Sequence, residues 1–489
     1  MQTPPETTLS ARLAGNIRGL SSLFLLLCLA GCGNGNGNGN MATTPAPPAS
    51  PTNAPQTYFA PGVAGTTNGP IIFNGAKIFS VDDFADTFTE SNFALQLPQQ
   101  QGSQVINSGV ITPLQRGLLA FGISTNYINA APVSYSPPKA GSFAVELAGQ
   151  AGGLVQLVGQ PVDLLVAAVD CPNLTTAQTY QYLTIPGGLI DSATAGPQAD
   201  FWDPTTDTAY GSVDISSNGV NVSFNNIQQH TLPSIGGSGV PAQQPTSPVT
   251  GTCGPTIYGN TITLGQLTVT NPGAPGSNST PTQGSVGIGP TGLLVEDNGS
   301  GGGILPGTSP VLPYDNTLGA GTGAVGLPKP SSPVTTSAVI GAQYLGFVYG
   351  AGVFSGNAGA PPNGWSSHLA SFGFSSVPSN CASVAASTST LIYGGDFPQS
   401  NGQDNPSAGS NGFGNCDLAI DLGTQDPSNN GSYPQATVWM GASYAANTTG
   451  KTYSFPAVAI AGQLNGKNAI FVLGVDSTQP WAIYLLQSN

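Results

Sequence analysis

The chain has 489 residues, including 68 Gly and 43 Pro, and is 39% hydrophobic but only 6% charged, with a net charge of −14. That length can bury one large or two medium cores, and low charge with ample apolar content argues against ordinary disorder. Only four Glu, five Lys and three Arg are present, too few helix formers for an α-rich protein and too few cations for a basic patch on nucleic acid or a bare anionic membrane.

In chain order, Arg12 and Arg18 precede the apolar run Leu20 to Leu29. About 20 apolar residues are needed to cross a bilayer, so this run is the core of an export signal and not a transmembrane helix. Leu29-Ala30-Gly31-Cys32 ends it. The stretch resembles the lipobox of bacterial lipoproteins, a family in which the signal is cut before the cysteine and that cysteine receives lipid. The resemblance implies a signal peptide over 1–31, lipidation (palmitate among the acyl groups) at Cys32 and a membrane partner reached through the N-terminal lipid. Gly33 is not the aspartate that marks inner-membrane retention in that family, which implies the outer membrane. Removing residues 1–31 deletes Arg12, Arg18 and Glu6 and takes the net charge from −14 to −15.

Residues 32–57 alternate Gly and Asn and then turn Pro- and Thr-rich. They read as a linker that sets the body roughly 25–30 Å from the lipid. From Tyr58 onward short apolar runs alternate with turn residues, the signature of an all-β protein. Such runs include Gly117-Leu-Leu-Ala-Phe-Gly122 and Val162-Asp-Leu-Leu-Val-Ala-Ala-Val169. Scattered apolar residues over 81–95 suggest a short helix. Asn218-Gly219 favours a two-residue hairpin turn, pairing Ile215 with Val222 and Val213 with Phe224. Residues 299–335 are Gly-, Pro- and Ser-rich and read as a connector between a β-rich domain over 58–298 and a second over 336–489. In the latter, Asn465-Gly466 predicts a hairpin pairing Ile460 with Phe471 and Ala461 with Ile470. Both its faces are apolar, so these strands should be covered on both sides. The expected fold is an antiparallel β-sandwich or barrel with long Gly/Pro/Ser-rich loops. An irregular propeller is the alternative, disfavoured because no repeat of constant period exists.

Two stretches of the second domain, Leu391-Ile-Tyr-Gly-Gly-Asp-Phe-Pro398 and Phe413-Gly-Asn-Cys-Asp-Leu-Ala-Ile-Asp-Leu-Gly423, resemble uncharacterised bacterial lipoproteins of a family of unknown function. That resemblance implies no activity.

Four cysteines remain after Cys28 and Cys32: Cys171, Cys253, Cys381 and Cys416. In an exported protein they predict two disulfides with three possible connectivities; sequential pairing, Cys171–Cys253 and Cys381–Cys416, is preferred. Buried free thiols are the plainer alternative. Without a Cys-x-x-Cys pair or a nearby histidine, no metal site is expected among them.

Chemistry is sparse. The two histidines are His230 and His368; the first reads as a surface or hydrogen-bonded residue and the second as a polar loop residue. Gly236-Gly-Ser-Gly-Val240 and Gly441-Ala-Ser-Tyr-Ala445 fall short of a nucleophile elbow, so Ser443 with His368 is a poor catalytic pair. Glu296, Asp297, Asp396 and Asp421 are conceivable paired carboxylates for glycoside hydrolysis, though β-folds place acids in turns routinely. Asp426-Pro-Ser-Asn-Asn-Gly431 begins like a calcium loop but has Thr437 where a Glu should close it, and it reads as an Asx turn, as does Asp203-Pro-Thr-Thr-Asp207. Trp439 and Trp481 lie in strand runs and read as core, leaving Trp202 and Trp365, in loops, as candidate ligand contacts. The expectation is a non-enzymatic envelope binding or structural module with no cofactor, no metal and an unknown protein or polysaccharide partner. The alternative is an anchored polysaccharide hydrolase using paired carboxylates.

Overall fold

The computed structural model describes residues 56–60, 63–65, 72–74, 77–83, 85–93, 103–128, 131–146, 152–157, 162–167, 177–184, 208–215, 221–230, 240–241, 249–258, 262–271, 282–288, 294–297, 323–349, 367–373, 391–397, 399–400, 403–406, 415–442, 451–474 and 481–488. The protein is all-β, and among the described residues its one α-helix is the single turn Thr336–Ile340. Barrels, not a sandwich or propeller, are the observed solution.

Eight strands from Gln56–Ala60 to Val162–Ala167 close an antiparallel barrel. It is a meander from Lys77–Asp82 to Val162–Ala167, completed by Gln56–Ala60, which pairs with both ends of the meander. The short helix expected over 81–95 is instead the end of strand Lys77–Asp82 and the strand Thr87–Phe93. Phe79, Val81 and Phe88 point into the barrel with Phe121, Ile123 and Val155, an alternation that a helix could not place on one face.

A second sheet has nine strands between Gln178–Thr184 and Gly323–Pro328. The strand at one end, Thr208–Ile215, also pairs with Asn221–His230 near the other, so the sheet curls upon itself. Ile215 pairs with Val222 and Val213 with Phe224, the register anticipated for a turn at Asn218-Gly219; the turn itself lies outside the described residues. The 299–335 segment read as a connector contributes Gly323–Pro328 to the middle of this sheet, between Gln178–Thr184 and Leu294–Asp297.

The third sheet is another closed barrel of eight antiparallel strands, an up-and-down meander from Tyr344–Tyr349 to Ala482–Gln487 whose first and last strands pair. The Asn465-Gly466 turn joins Tyr453–Leu464 to Lys467–Gly474 with Ile460 opposite Phe471 and Ala461 opposite Ile470. Both turn residues have positive φ, 50° and 74°, which Asn and Gly tolerate best.

This hairpin shows why neither face is polar. Ala457, Ala459, Ala461, Ile470 and Val472 fill the barrel interior with Tyr344, Phe372, Leu418 and Trp481. Val458, Ile460, Phe471 and Leu473 point outward into a different core. There they meet Leu154 and Leu164 of the first barrel and Leu183, Val325 and Leu327 of the second sheet. One outward-facing core thus joins all three sheets, and residues from 51 onward form one compact unit. Polar groups reinforce the join: Asn429 Nδ2 donates to Gln181 Oε1 at 2.8 Å while Gln181 Nε2 returns a bond to Asn429 Oδ1, and Arg116 Nη2 donates to Ser488 Oγ at 2.8 Å.

Candidate functional site

Local sequence at the wall of the C-terminal barrel builds a buried acidic cluster. The strand Leu391–Asp396 runs antiparallel to Leu418–Asp421, with Gly394 opposite Leu418. Beyond that pairing, Asn415 N donates to Asp396 O at 2.7 Å and Asp417 N to Gly394 O at 3.1 Å, so the 415–417 turn is laid along 394–396. Gly395 leaves the necessary room: a Cβ there would lie 2.0 Å from Asp417 Oδ1 and 2.2 Å from Asn415 O. The Asp417 carboxyl occupies this space beside Asp396, and both acids are 0% exposed. The charge of Asp396 reaches Asp417 and disfavours a second negative charge beside it. Asp396 Oδ2 and both carboxyl oxygens of Asp417 are buried with no hydrogen-bond partner among the described residues. Asp396 Oδ1 accepts a long bond, 3.5 Å, from Asn415 Nδ2.

Electrostatics follow from burial. Desolvation raises the pKa of Asp417 far above the ordinary carboxylate range, and the charge of Asp396 pushes the same way. Asp396 is raised too, chiefly by desolvation, with His368 and Asn415 opposing. His368 is therefore not a loop residue: it sits in strand Ser367–Phe372, its Nδ1 3.4 Å from Asp404 Oδ1. The other Asp404 oxygen accepts from Leu369 N at 2.7 Å. Burial opposes charge on His368, but the hydrogen bond and charge of Asp404, with the charge of Asp396, outweigh it and raise its pKa.

Two buried carboxyls with a histidine nearby are acid–base groups in kind. General catalysis also needs hydrogen-bond contact with the reacting group, and 0% exposure at both carboxyls denies it. A second feature lies inside the first barrel, where a cavity of about 30 Å³ is lined by Tyr58, Phe79, Phe121 and Val155 together with Asp83 and Glu146. Tyr58 Oη donates to Glu146 Oε1 at 3.3 Å. The Glu146 carboxyl is raised by burial and by the charge of Asp83, against the Tyr58 bond. The cavity has room for roughly two waters.

Of the acids singled out from sequence, Asp396 belongs to the buried cluster. Asp421 ends strand Leu418–Asp421, and its Oδ1 accepts from Gly423 N at 2.9 Å. Glu296 and Asp297 lie in strand Leu294–Asp297, where their side chains are outside the described residues. The 426–431 loop is an Asx turn: Asp426 Oδ1 accepts from Ser428 N at 2.8 Å and Ser428 Oγ at 2.7 Å, and Asn429 is spent on Gln181. Trp481 is 0% exposed, as read. Cys416 is buried at 2% exposure beside Asp417, and Cys253 lies in strand Val249–Tyr258. Cys32, Cys171, Cys381, Trp202, Trp365, Ser443 and the 203–207 turn lie outside the described residues. His230 ends strand Asn221–His230, and its side chain is likewise outside them.

Sequence reading missed Asp404, Asn415 and Asp417. What places Asp417 is the register: Gly394 lies opposite Leu418, and the bonds Asn415 N to Asp396 O and Asp417 N to Gly394 O lay 415–417 along 394–396. A connection of about twenty residues between those strands leaves that register open, unlike the two-residue hairpins.

No protein-family model matches the chain, and no curated protein matches it. Among solved structures, a mutant of transferrin binding protein B from Haemophilus parasuis Hp5 aligns over 88% of this chain and 75% of its own, at 8% identity and a TM-score of 0.22. The isotype 1 transferrin binding protein B from serogroup B Neisseria meningitidis aligns over 89% and 77%, at 11% identity and a TM-score of 0.19. Likenesses this low transfer nothing to this chain.

Proposed function

We propose that the chain is a lipid-anchored module of the bacterial cell envelope, held through Cys32, whose β-barrel body binds a protein or polysaccharide partner without transforming it. The lipobox-like stretch Leu29 to Cys32 supports the anchor and the outer-membrane location. The observation that carries the non-enzymatic reading is the burial of Asp396 and Asp417: the carboxyl pair is 0% exposed and offers a substrate no approach. Two disulfides among Cys171, Cys253, Cys381 and Cys416 belong to the same reading, because an exported body is oxidised outside the cytoplasm. The ligand named for the two transferrin binding proteins is not proposed here, since a likeness at those TM-scores carries no argument.

One observation favours the rival reading, an envelope-anchored polysaccharide hydrolase. Two neighbouring carboxyls, one with its pKa raised by burial, resemble the acid–base pairing that glycoside hydrolysis uses. Incubating the purified full chain with peptidoglycan and with neutral glucans, and assaying new reducing ends, separates the two. The binding module releases none. Reducing ends released by the wild type and lost in Asp396→Asn would establish the hydrolase instead.

A further inference from the structure

We propose that Asp396 and Asp417 form a proton-held latch, sharing one proton that fastens the 415–417 turn and the short strand pair Gln399–Ser400 and Gln403–Asp404 to the barrel wall, and letting both go as the pH rises. The inference begins from unmet charge. Three carboxyl oxygens are buried with no hydrogen-bond partner among the described residues, and two ionised carboxylates in such a site repel one another. No side-chain cation of fixed charge is available from this part of the chain, because residues 330–450 contain no Lys or Arg. The charges that reach Asp396 are those of His368, from strand Ser367–Phe372, and of Asp404, from the short strand pair; Asp417 feels Asp396. Asn415, from the turn, is neutral. One proton placed between the carboxyls removes the repulsion and forms a charge-assisted hydrogen bond, the short and strong kind.

The parts that this bond would fasten are named by their backbone contacts. The turn is held by Asn415 N on Asp396 O and Asp417 N on Gly394 O, and Asp417 O accepts from Gly441 N at 2.6 Å. The strand pair is held through Asp404, which caps Leu369 N and faces His368. If these elements lift away, both carboxyls meet water and return to the ordinary carboxylate range, so opening releases the shared proton. The folded pair holds more protons than the opened one, hence opening becomes more favourable with rising pH. His368 acts in the same direction. Its folded pKa is raised, so its contribution is full at low pH and lost as it deprotonates.

Amide hydrogen exchange on the full chain between about pH 5.5 and pH 8.5, corrected for the intrinsic pH dependence of exchange, reads the latch directly. The opening constant for peptides covering 391–421 should rise roughly tenfold per pH unit, the value for one released proton, while peptides covering 467–474 stay level. In Asp417→Asn, which keeps the shape and removes the charge, the 391–421 slope should flatten. An infrared carbonyl band of a protonated carboxyl, present at neutral pH and bleaching as the pH rises, gives the same reading in the wild type alone. A level slope in the wild type, an unchanged slope in Asp417→Asn, or no protonated carboxyl band at neutral pH would overturn the proposal. So would suppression of the slope by calcium chloride and its return with EDTA, which would make the holder a cation.

Discussion

Gly395 and Gly346 show how single positions in this chain are dictated by what lies across the sheet. A Cβ on Gly346 would sit 1.7 Å from Tyr484 O, on the neighbouring strand of the same barrel. No rotation of a methyl relieves a clash with backbone, so Gly346→Ala should destabilise the protein by about 1–3 kcal/mol, the ordinary range for overpacking, read as a lowered thermal midpoint. Gly395→Ala meets the Asp417 carboxyl and Asn415 O instead. It should loosen the 415–417 turn, seen as faster amide exchange there, while leaving the hairpin at Asn465-Gly466 protected; unchanged exchange in the turn would show that Gly395 is not what seats Asp417. At this scale sequence was informative where one residue type carries one physical demand. Asn465-Gly466 announced a turn with positive φ, whereas Asp417 looked like any strand-flanking acid until the register brought it against Asp396.

Between elements, the hairpin Tyr453–Leu464 and Lys467–Gly474 was legible because a two-residue turn fixes every pairing that follows it. Its apolar residues on both faces gave the further expectation of a doubly covered strand, and the alternation of inward Ala459 with outward Ile460 explains it. Phe471 lies in the outward core and stacks edge-on against Tyr484 at 5.8 Å between ring centroids. Truncating it as Phe471→Ala should cost about 3–5 kcal/mol in chemical denaturation. A loss below about 1 kcal/mol, the size of a surface substitution, would mean that the three sheets do not depend on this shared core. The 81–95 segment misled because its apolar residues are too scattered to show a period, while the inward placement of Phe79, Val81 and Phe88 belongs to strands. Glycine-rich 299–335 misled differently: composition suits a linker, yet Gly323–Pro328 finds hydrogen-bond partners on both sides, and a strand with small residues fits the middle of a sheet when both neighbours supply the bulk.

From residue 51 onward two closed barrels and a curled sheet share one outward-facing core, an arrangement that leaves no trace in local sequence because that core gathers residues more than 300 positions apart, such as Leu118 and Phe471. Composition did carry the class: few charges, many turn residues and short apolar runs read as all-β, and all-β is the fold. The candidate site was legible only in part, through Asp396, since its chemistry depends on burial and register. What the body is for depends on where it is held, and the proposed anchor rests on Cys32. Expressing the full chain and Cys32→Ser in a Gram-negative host with labelled palmitate, then separating membranes from soluble envelope contents, tests this most directly. The account predicts labelled wild-type protein in the outer-membrane fraction and unlabelled, soluble Cys32→Ser; a variant that keeps its label, or stays with the membrane without it, would contradict the lipid anchor.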